Sequence, residues 1–464
     1  MQPLSLSAII TATNAAVDTT GAGDKDTHAT ITAVSADSRQ ITPGCLFVAL
    51  RGDTFDGHAF VAQALAQGAA YAVVEADCSL DAPPEKLLRV ADTRQALLSI
   101  AGVYRDLFAI PVTAITGSVG KTTTKEMIAC VCQSRYDTLK TEMNLNNEIG
   151  VAQMLLRLTP DHQAAVLEMG MDGPGQIAPI SRAVSPTVAV VTNIGVSHLE
   201  AMGTKENTCR EKLDIRAGMP DGGTLILNGD DPLLQNTDDP RLRVVFYSLE
   251  NPACAFFAAD IHEANGLTTF TICYSGHSYP AELPAIGRHN IGNALAAFAV
   301  GVTLGLAPAD AAAALKNYQP AGMRQKIVVH NSLTIVEDCY NASPDSMKAA
   351  LETLGHMPCT GRRIAVLSDM LELGSVAEES HTAVGTLVAG CGADALFCTG
   401  TMAQLYRQGA LAAGMTEQQT FFFADKDTLA AALVQYAAAG DVLWFKASRS
   451  MRLEEVLQRL YAES

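Results

Sequence analysis

The stretch AITGSVGKTTTKE, residues 114–126, decides the fold because it joins an apolar run to a glycine-containing turn and a polar helix start. Gly117 and Gly120 let the backbone approach phosphate oxygens without an intervening Cβ, and the helix N terminus adds partial positive charge. Lys121 would reach the β- and γ-phosphates of a nucleotide, and Thr122 would offer its hydroxyl to Mg²⁺. The nucleotide-binding residues predicted in this loop are Gly117, Ser118, Gly120, Lys121, Thr122 and Thr123.

The general spacing of a phosphate loop is only partly met. That spacing places its first glycine at position 115, where this chain has Ile115. The alternative is a strand-to-helix turn whose lysine is solvated. Other enzyme classes have less support, because the sequence contains no Ser-His-Asp order, no H-E-x-x-H and no G-x-G-x-x-G pattern. The sequence therefore gives little support to a hydrolase, a metalloprotease or a Rossmann dehydrogenase.

Short apolar runs alternate with helical stretches, which predicts parallel sheets with crossover helices. A chain of 464 residues suggests about three domains. We predict an α/β protein of three domains: a small N-terminal α/β unit over 1–108, a central P-loop domain with a parallel sheet over 109–320, and a C-terminal Rossmann-like α/β domain over 321–464. The runs that predict strands include CLFVAL (45–50), VTAIT (112–116), AAVLEM (164–169), TVAVVTN (187–193), TLILN (224–228), LTIVEDC (333–339), RIAVLSDM (363–370), DALFCTG (394–400) and DVLWFKAS (441–448).

Composition and charge exclude several classes of partner. The formal net charge is -17, so a nucleic-acid backbone would be repelled, and no Lys/Arg run forms a basic patch. The 11 cysteines are scattered without C-x-x-C pairs, which is typical of reduced thiols in a cytosolic protein. The first residues lack the features of a secretion signal, and no apolar stretch reaches transmembrane length. We expect a cytoplasmic protein that binds no nucleic acid, does not insert into a membrane and is a monomer.

Several apolar runs end directly in polar or glycine-containing clusters. Ligands bind outside the carboxyl ends of strands in open parallel sheets, so we expect these clusters to meet at one site. Glu168 offers the carboxylate that a hard cation prefers, although taken alone it is more typical of an exposed charge at a strand end. Taken alone, His198 is typical of a structural hydrogen-bonding residue and Lys212 of a helix lysine. The clusters are TGSVGKTTT, EMG, NIGVSHLE, NGDD, DCYN, SDM and KASR.

Four further side chains are candidates for nucleotide contacts. The stretch RHNIGNALAA places Asn290 and Asn293 three residues apart, so they share one helix face. Amides can read the edge of a base, while helix capping is the alternative role for Asn290. Arg324 and Asp338 flank the first strand of the third unit, and a guanidinium from another domain could neutralise a phosphate during transfer.

Five motifs occur in order along the chain, and together they resemble the Mur ligases. These are ATP-dependent amide-bond ligases of bacterial cell-wall precursor synthesis, and the resemblance covers about residues 37–453. It implies that the first domain binds a UDP-linked precursor, the second binds ATP and the third completes the ligase site. The motifs are TGSVGKTTTKE (116–126), NLNNEIG (144–150), EMG (168–170), NIGVSHLE (193–200) and RHNIGNA (288–294).

Within the family, other stretches are most similar to the members that add D-alanyl-D-alanine. The resemblance implies that ATP converts the terminal carboxylate of UDP-N-acetylmuramoyl-tripeptide into an acyl phosphate, which the amine of D-alanyl-D-alanine attacks. ATP and Mg²⁺ are the implied cofactors, and these small molecules are the implied partners. The stretches are DSRQITPGCLFVALRGDTFDGHAF (37–60), EDCYNASPDSMKAAL (337–351), VLSDMLELG (366–374) and FKASRSM (445–451).

The resemblance also implies a role for each matching residue. Lys121 corresponds to the phosphate-loop lysine, and Lys212 aligns with a lysine that is carbamylated in this family and ligates metal. The implied catalytic residues are Lys121, His198, Lys212 and Arg324, and the implied metal ligands are Thr122, Glu168, His198 and Lys212. The implied contacts are Asn290 and Asn293 for adenine, Arg324 for the phosphates, Asp338 for the ribose, Ser38 and Arg39 for the UDP end, Asn144 and Asn147 for the muramoyl-peptide, and Asn341 and Ser343 for D-alanyl-D-alanine.

The chain departs from the usual family pattern in three places. Ala152 stands where proline is common, Ala447 changes K-G-S-R to K-A-S-R, and residues 214–216 read D-I-R where E-I-F is usual. Alternative functions are a third-residue muramyl-peptide ligase, a folate-polyglutamate-type ligase and a nucleotide-binding scaffold without turnover. The third-residue ligase usually has a D-N-P-R stretch in its last domain, and this chain lacks one.

The candidate residues are divided between two predicted domains. Arg324, Asp338 and Lys446 belong to the third domain, whereas Lys121 belongs to the second. An acyl phosphate must be protected from water. We therefore hypothesise that the third domain closes onto the phosphate loop.

Overall fold

The computed structural model describes residues 1–17, 29–52, 54–196, 198–264 and 266–463. Within these residues the strands form sheets of two, five, nine and six strands. Helices connect the mostly parallel strands of the larger sheets. The predicted α/β fold with parallel sheets is therefore confirmed.

The N-terminal unit contains a five-stranded sheet flanked by short helices. Its strands are β1 (Leu4–Ser5), β2 (Ala16–Val17), β3 (Thr30–Ile31), β4 (Ala33–Ser35), β5 (Cys45–Val48), β6 (Tyr71–Glu75) and β7 (Leu87–Val90), and its helices are α1 (Leu6–Thr13), α2 (Val61–Ala66) and α3 (Thr93–Arg105). The sheet order is β2-β7-β6-β5-β4. Strands β4 to β7 are parallel, and β2 pairs antiparallel at the edge.

The central unit contains the nine-stranded sheet. Its strands are β8 (Val112–Thr116), β9 (Thr138–Lys140), β10 (Ala164–Glu168), β11 (Val188–Val191), β12 (Thr224–Asn228), β13 (Arg243–Ser248), β14 (Phe256–Ala264), β15 (Leu267–Tyr274) and β16 (His277–Leu283). Its helices are α4 (Lys121–Gln133), α5 (Glu148–Leu155), α6 (Ile177–Val184), α7 (Leu199–Met202), α8 (Lys205–Leu213), α9 (Arg288–Thr303) and α10 (Pro308–Ala314). The order is β16-β15-β14-β13-β12-β11-β8-β10-β9.

The position of β8 places the phosphate loop at a crevice. Every residue of β8 is buried, as expected for a parallel strand covered on both faces. The chain first adds β9 and β10 on one side of β8 and then crosses to add β11 on the other side. The crossover helices leave a crevice where the strand order reverses, at the carboxyl end of β8.

The C-terminal unit contains the six-stranded sheet. Its strands are β17 (Lys326–His330), β18 (Leu333–Asp338), β19 (Arg363–Ser368), β20 (Ala395–Thr399), β21 (Thr420–Phe423) and β22 (Val442–Lys446). Its helices are α11 (Pro344–His356), α12 (Ala377–Gly390), α13 (Ala403–Ala412), α14 (Lys426–Tyr436) and α15 (Glu454–Glu463). The order is β17-β18-β22-β19-β20-β21, and only the edge strand β17 pairs antiparallel.

One apolar core crosses the predicted boundary at residue 108. Leu46 and Val73 of the N-terminal sheet belong to the same cluster as Val112 of β8 and Leu225 of β12. Helix α3 packs against both α5 and α6. Shared apolar burial therefore holds the first two units together, while the domain boundaries stay predictions.

No helix in the described part of the chain is both long enough and apolar enough to cross a membrane.

Helices α12 and α13 approach so closely that a Cβ at Gly385 would overlap the carbonyl oxygen of Tyr406. We predict that Gly385→Ala lowers the free energy of unfolding by about 1–3 kcal/mol, because the helices must separate. Gly390→Ala in the same helix is the control, since nothing lies within 4 Å of its Cβ and alanine favours a helix. Thermal unfolding measures both variants, and equal Tm values would contradict the prediction.

Candidate active site

A cleft of about 570 Å³ opens beside the phosphate loop, between the central and C-terminal units. This volume lies within the usual range for small-molecule sites. The strand-end clusters meet there because the carboxyl ends of parallel strands share one sheet edge. The predicted residues that line it are Ser118, Gly120, Lys121, Thr122, Thr123, Asn144, Asn147, Glu168, His198, Lys212, Asn290, Asn293, Arg324, Asp338, Asn341 and Ser343.

The loop after β8 depends on two glycines. Gly117 has a φ of +149°, and a Cβ there would overlap the hydroxyl of Thr192. Gly120 has a φ of +85° and caps α4, and a Cβ there would lie 2.9 Å from Oδ1 of Asn293. Only glycine combines these dihedrals with such close approach. Ile115 occupies the position where the general phosphate-loop pattern has its first glycine, and it is fully buried in β8.

Two lysine ammonium groups converge on one backbone carbonyl. Nζ of Lys121 donates to the carbonyl oxygen of Gly117 at 2.8 Å, and Nζ of Lys212 donates to the same oxygen at 3.0 Å. Burial lowers the pKa of Lys121, and burial together with the charge of Lys121 lowers the pKa of Lys212 well below its usual value. Neither lysine makes an ion pair with a carboxylate of the described residues. The Lys121 side chain is thus half-buried and bonded within the loop, where an anion would neutralise its charge.

Glu168 lies at the end of β10 and is only 2% exposed. Its Oε2 accepts a hydrogen bond from the Thr122 hydroxyl at 2.8 Å, and its Oε1 accepts one from Nδ2 of Asn146 at 2.9 Å. Within the described chain, no Lys or Arg forms an ion pair with this carboxylate. The charge of Glu168 acts on Lys121, and a buried carboxylate beside a hydroxyl fits a divalent cation.

His198 occupies a strained position at the start of α7, with a φ of 58°. Its Nδ1 lies 3.2 Å from Oε2 of Glu372, which belongs to the C-terminal unit. Burial lowers the pKa of His198, and the charge of Lys121 lowers it further. The lowered pKa favours the neutral imidazole, which is the form that can ligate a metal ion.

The two predicted adenine-contacting amides lie on one face of α9 and are buried. Nδ2 of Asn293 donates to Oδ1 of Asn290 at 3.2 Å, and Oδ1 of Asn293 accepts from the Thr124 hydroxyl at 3.0 Å. Nδ2 of Asn290 donates to the side chain of Gln325 at 2.7 Å. The capping alternative for Asn290 does not hold, since that side chain bonds no backbone N–H of the helix start. These bonds preorganise the amides beside the cleft.

The C-terminal unit contributes a guanidinium and an ion pair. The Arg324 guanidinium carbon lies 3.9 Å from the centre of the Tyr340 ring, which fixes the orientation of the side chain. Asp338 of β18 lies opposite Lys446 of β22 in the sheet register, and Nζ of Lys446 donates to Oδ2 of Asp338 at 2.7 Å. Among the described residues, Arg324 has no carboxylate partner, so its charge remains available to a phosphate.

Four residues predicted to bind substrate line the cleft, and they differ in the hydrogen bonds that their side chains make. Asn147 caps α5, because its side-chain oxygen accepts a backbone N–H of that helix at 2.9 Å. Ser343 is the N-cap of α11 and forms a capping box with Ser346. The side-chain oxygen of Asn341 accepts the next backbone N–H at 2.9 Å. Asn144 has no such bond to the described part of the chain.

Ser38 and Arg39 lie in a turn of the N-terminal unit, outside the cleft lining. Nε of Arg39 donates to Oδ1 of Asp37 at 2.9 Å, and the Arg39 side chain is 86% exposed. The hydrogen bond from Arg39 lowers the pKa of Asp37 to about 2. The fold does not bring these residues together with the phosphate loop.

Several residues that face the cleft are not among the site residues predicted from the sequence. Asn146, His289, Gln325, Asp345 and Glu372 all line it. Four of them stand inside or beside stretches already singled out: NLNNEIG, RHNIGNA, EDCYNASPDSMKAAL and VLSDMLELG. Gln325 directly follows Arg324, and no pattern in the sequence marks it.

Sequence profiles of three domains match this chain: "Mur ligase family, catalytic domain" at residues 30–105, "Mur ligase middle domain" at 115–301 and "Mur ligase, glutamate ligase domain" at 323–449. A protein of Bacillus subtilis (strain 168), named UDP-N-acetylmuramoyl-tripeptide–D-alanyl-D-alanine ligase, is 38% identical over 430 residues, which is 92% of each chain. This chain belongs to the Mur ligase family. It is an enzyme that forms an amide bond at the expense of ATP, as the sequence predicts.

Solved structures of Mur ligases share this fold over nearly the whole chain. A crystal structure of MurF from Acinetobacter baumannii matches with a TM-score of 0.89 at 30% identity, covering 100% of this chain and 99% of that chain. The MurF ligase from Thermotoga maritima, solved in complex with ADP, matches with a TM-score of 0.83 at 27% identity, covering 93% and 97%.

The conformation of Gly117 gives a direct test of the phosphate loop in this Mur ligase. We predict that Gly117→Ala weakens binding of a non-hydrolysable ATP analogue about tenfold or more, because the new Cβ displaces the carbonyl that holds both lysines. Isothermal titration calorimetry measures the affinity, with Gly390→Ala as the matched control. An unchanged affinity for Gly117→Ala would exclude this loop as the phosphate site.

Proposed function

We propose that this Mur ligase joins D-alanyl-D-alanine to UDP-N-acetylmuramoyl-tripeptide in peptidoglycan precursor synthesis. Relatives that match over more than nine-tenths of the chain are named for this reaction. The third-residue alternative has less support. A ligase named for adding 2,6-diaminopimelate is only 17% identical and shares the fold with a TM-score of 0.61.

The reaction needs ATP because a carboxylate has a poor leaving group. An oxygen of the terminal carboxylate of the tripeptide attacks the γ-phosphorus, and the bond to the leaving oxygen of ADP breaks. The amine nitrogen of D-alanyl-D-alanine then attacks the acyl carbon and loses a proton, and phosphate leaves. The products are the amide, ADP and phosphate, and the protein mainly positions the groups and neutralises charge.

Two cations without an ion-paired carboxylate in the described chain support this assignment most strongly. Lys121 comes from the central unit, and Arg324 comes from the C-terminal unit. We assign Lys121 and Arg324 to the phosphates, Asn290 and Asn293 to adenine, and Asp338 to the ribose. Charge from two units would then stabilise the phosphoryl group during transfer.

The donor set around Glu168 fits Mg²⁺. Thr122 and Glu168 supply oxygen atoms beside the phosphate loop, and His198 offers a ring nitrogen from the lining of the same cleft. The bound ion would neutralise phosphate charge. We assign Thr122, Glu168 and His198 as its ligands, directly or through water.

We further propose that Lys212 is carbamylated. An uncharged amine nitrogen can attack the carbon of CO₂, one C=O electron pair moves to oxygen, and a proton is released. The buried position of Lys212 beside Lys121 favours the uncharged amine. The product is an anionic group that would balance the charge of Lys121 and serve as an oxygen ligand for the cation.

Carbon-13 NMR tests this modification. In ¹³C-bicarbonate buffer we expect the wild-type protein to show a carbamate carbonyl resonance. The resonance should be lost in Lys212→Arg and kept in Lys348→Arg, which changes an exposed lysine of α11. A wild-type spectrum without the resonance, or its persistence in Lys212→Arg, would contradict carbamylation.

The remaining assignments follow the order of the predicted domains, 1–108, 109–320 and 321–464. We propose Ser38 and Arg39 for the UDP end, Asn144 and Asn147 for the muramoyl-peptide, and Asn341 and Ser343 for D-alanyl-D-alanine. We also propose that the protein acts as a monomer. All 11 cysteines are free, which agrees with a cytoplasmic location.

Product analysis tests the proposed reaction. We expect mass spectrometry to detect the pentapeptide precursor only when UDP-N-acetylmuramoyl-tripeptide, D-alanyl-D-alanine and MgATP are all present. Lys121→Ala should lower the rate by about 100-fold or more, because a cation at the transferring phosphate is lost. Lys348→Ala should leave the rate unchanged. A normal rate in Lys121→Ala, or a product with a single amino acid in place of the dipeptide, would overturn the assignment.

A further inference from the structure

The segment that follows β11 is contacted directly by the C-terminal unit. The backbone N–H of Val196 donates to Oδ2 of Asp345 at 3.1 Å. Asp345 is the second residue of α11, so its carboxylate sits at the positive end of that helix. One acidic side chain therefore joins the two units beside the phosphate loop.

Gly195 makes this contact possible. A Cβ at this position would overlap Oδ2 of Asp345 and would lie 3.1 Å from Cβ of Ser118. The backbone of Gly195 does not have a positive φ, so its conformation alone would accept alanine. The need for glycine here comes mainly from the approach of Asp345.

The same segment is bonded to the phosphate loop. The N–H of Gly195 donates to Oγ of Ser118 at 2.8 Å, and the N–H of Ser118 donates to the carbonyl oxygen of Asn193 at 3.0 Å. The N–H of Val119 donates to Oδ1 of Asn193 at 2.9 Å. Any displacement of this segment is thus passed to the loop that carries Lys121.

A second contact lies on the far side of the segment. Glu372 meets His198, and a Cβ at Gly374 would lie only 2.9 Å from Cβ of Glu200. The C-terminal unit therefore holds α7 as well, but at residues that have no hydrogen bond to Ser118 among those the structure describes. Of these two contacts, the one made by Asp345 lies next to the phosphate loop.

We propose that Asp345 is a positioning residue that fastens the C-terminal unit to the phosphate loop through Gly195 and Val196. Together with the hydrogen bond from Asn290 to Gln325, the contact holds Arg324 on one unit near Lys121 on the other. It acts through backbone groups and needs no contact with substrate. The kinetic test of this role rests on the proposed function. The contact itself can be tested by scattering without assuming that function.

The first test compares Asp345→Ala with Asp345→Asn. Alanine removes the acceptor for the Val196 N–H, so we expect kcat to fall about tenfold, with the KM for UDP-N-acetylmuramoyl-tripeptide unchanged. Asparagine keeps an acceptor oxygen and should restore most of the rate. Asp310→Ala, an acidic residue in the first turn of α10, is the control. Equal rates for Asp345→Ala and wild type, or no rescue by Asp345→Asn, would overturn the proposal.

The second test changes Gly195 and Asp345 singly and together. Gly195→Ala should lower kcat at least as much as Asp345→Ala, because the new Cβ displaces the carboxylate. In the Asp345→Gly background the same Gly195→Ala change should lower kcat much less, because Oδ2 of Asp345 is no longer there to overlap the new Cβ. Losses that multiply in the double variant would show that the two residues act independently.

Small-angle scattering separates this proposal from the assigned reaction. We expect Asp345→Ala and Gly195→Ala to have a larger radius of gyration than wild type and Asp310→Ala, whether or not ligation is observed. A wild type that does not ligate while this difference persists would count against the reaction only. The same radius of gyration for the wild type and all three variants would contradict the proposed role of Asp345.

Discussion

The site depends on one backbone oxygen, the carbonyl of Gly117, which accepts hydrogen bonds from both Lys121 and Lys212. Two ammonium groups on one acceptor repel each other, and burial lowers the pKa of both. The arrangement is stable only if the fold holds the loop rigidly and an anion or a modification relieves the charge. Gly117 lets the loop pack closely against Thr192, and hydrogen bonds with Asn193 hold the loop in place.

The parallel sheets explain how charged groups from distant parts of the chain reach this oxygen. The crevice at the carboxyl end of β8 receives Glu168 from the end of β10 and His198 from the segment after β11. In the C-terminal sheet, the register of β18 against β22 pairs Asp338 with Lys446 and compensates both charges. Arg324 remains uncompensated within the described chain and faces the same cleft.

The sequence predicts the strands and their clusters well, because alternating apolar runs and glycine turns are local properties. It also selects Lys121, Thr122 and Glu168 as candidates, and the fold brings all three to one cleft. Contacts between units are not local, so Asp345 gives no sequence signal beyond its motif. The arrangement of the amides is likewise a tertiary property, since Asn290 bonds Gln325 across 35 residues of chain.

A crystal structure of this protein with a non-hydrolysable ATP analogue tests the central claim most directly. The phosphate-loop account predicts that the triphosphate lies against the backbone amides of residues 118–122, with Lys121 on one side and Arg324 on the other. It also predicts the adenine beside Asn290 and Asn293. A nucleotide bound elsewhere, with both lysines still on the Gly117 carbonyl, would contradict the account.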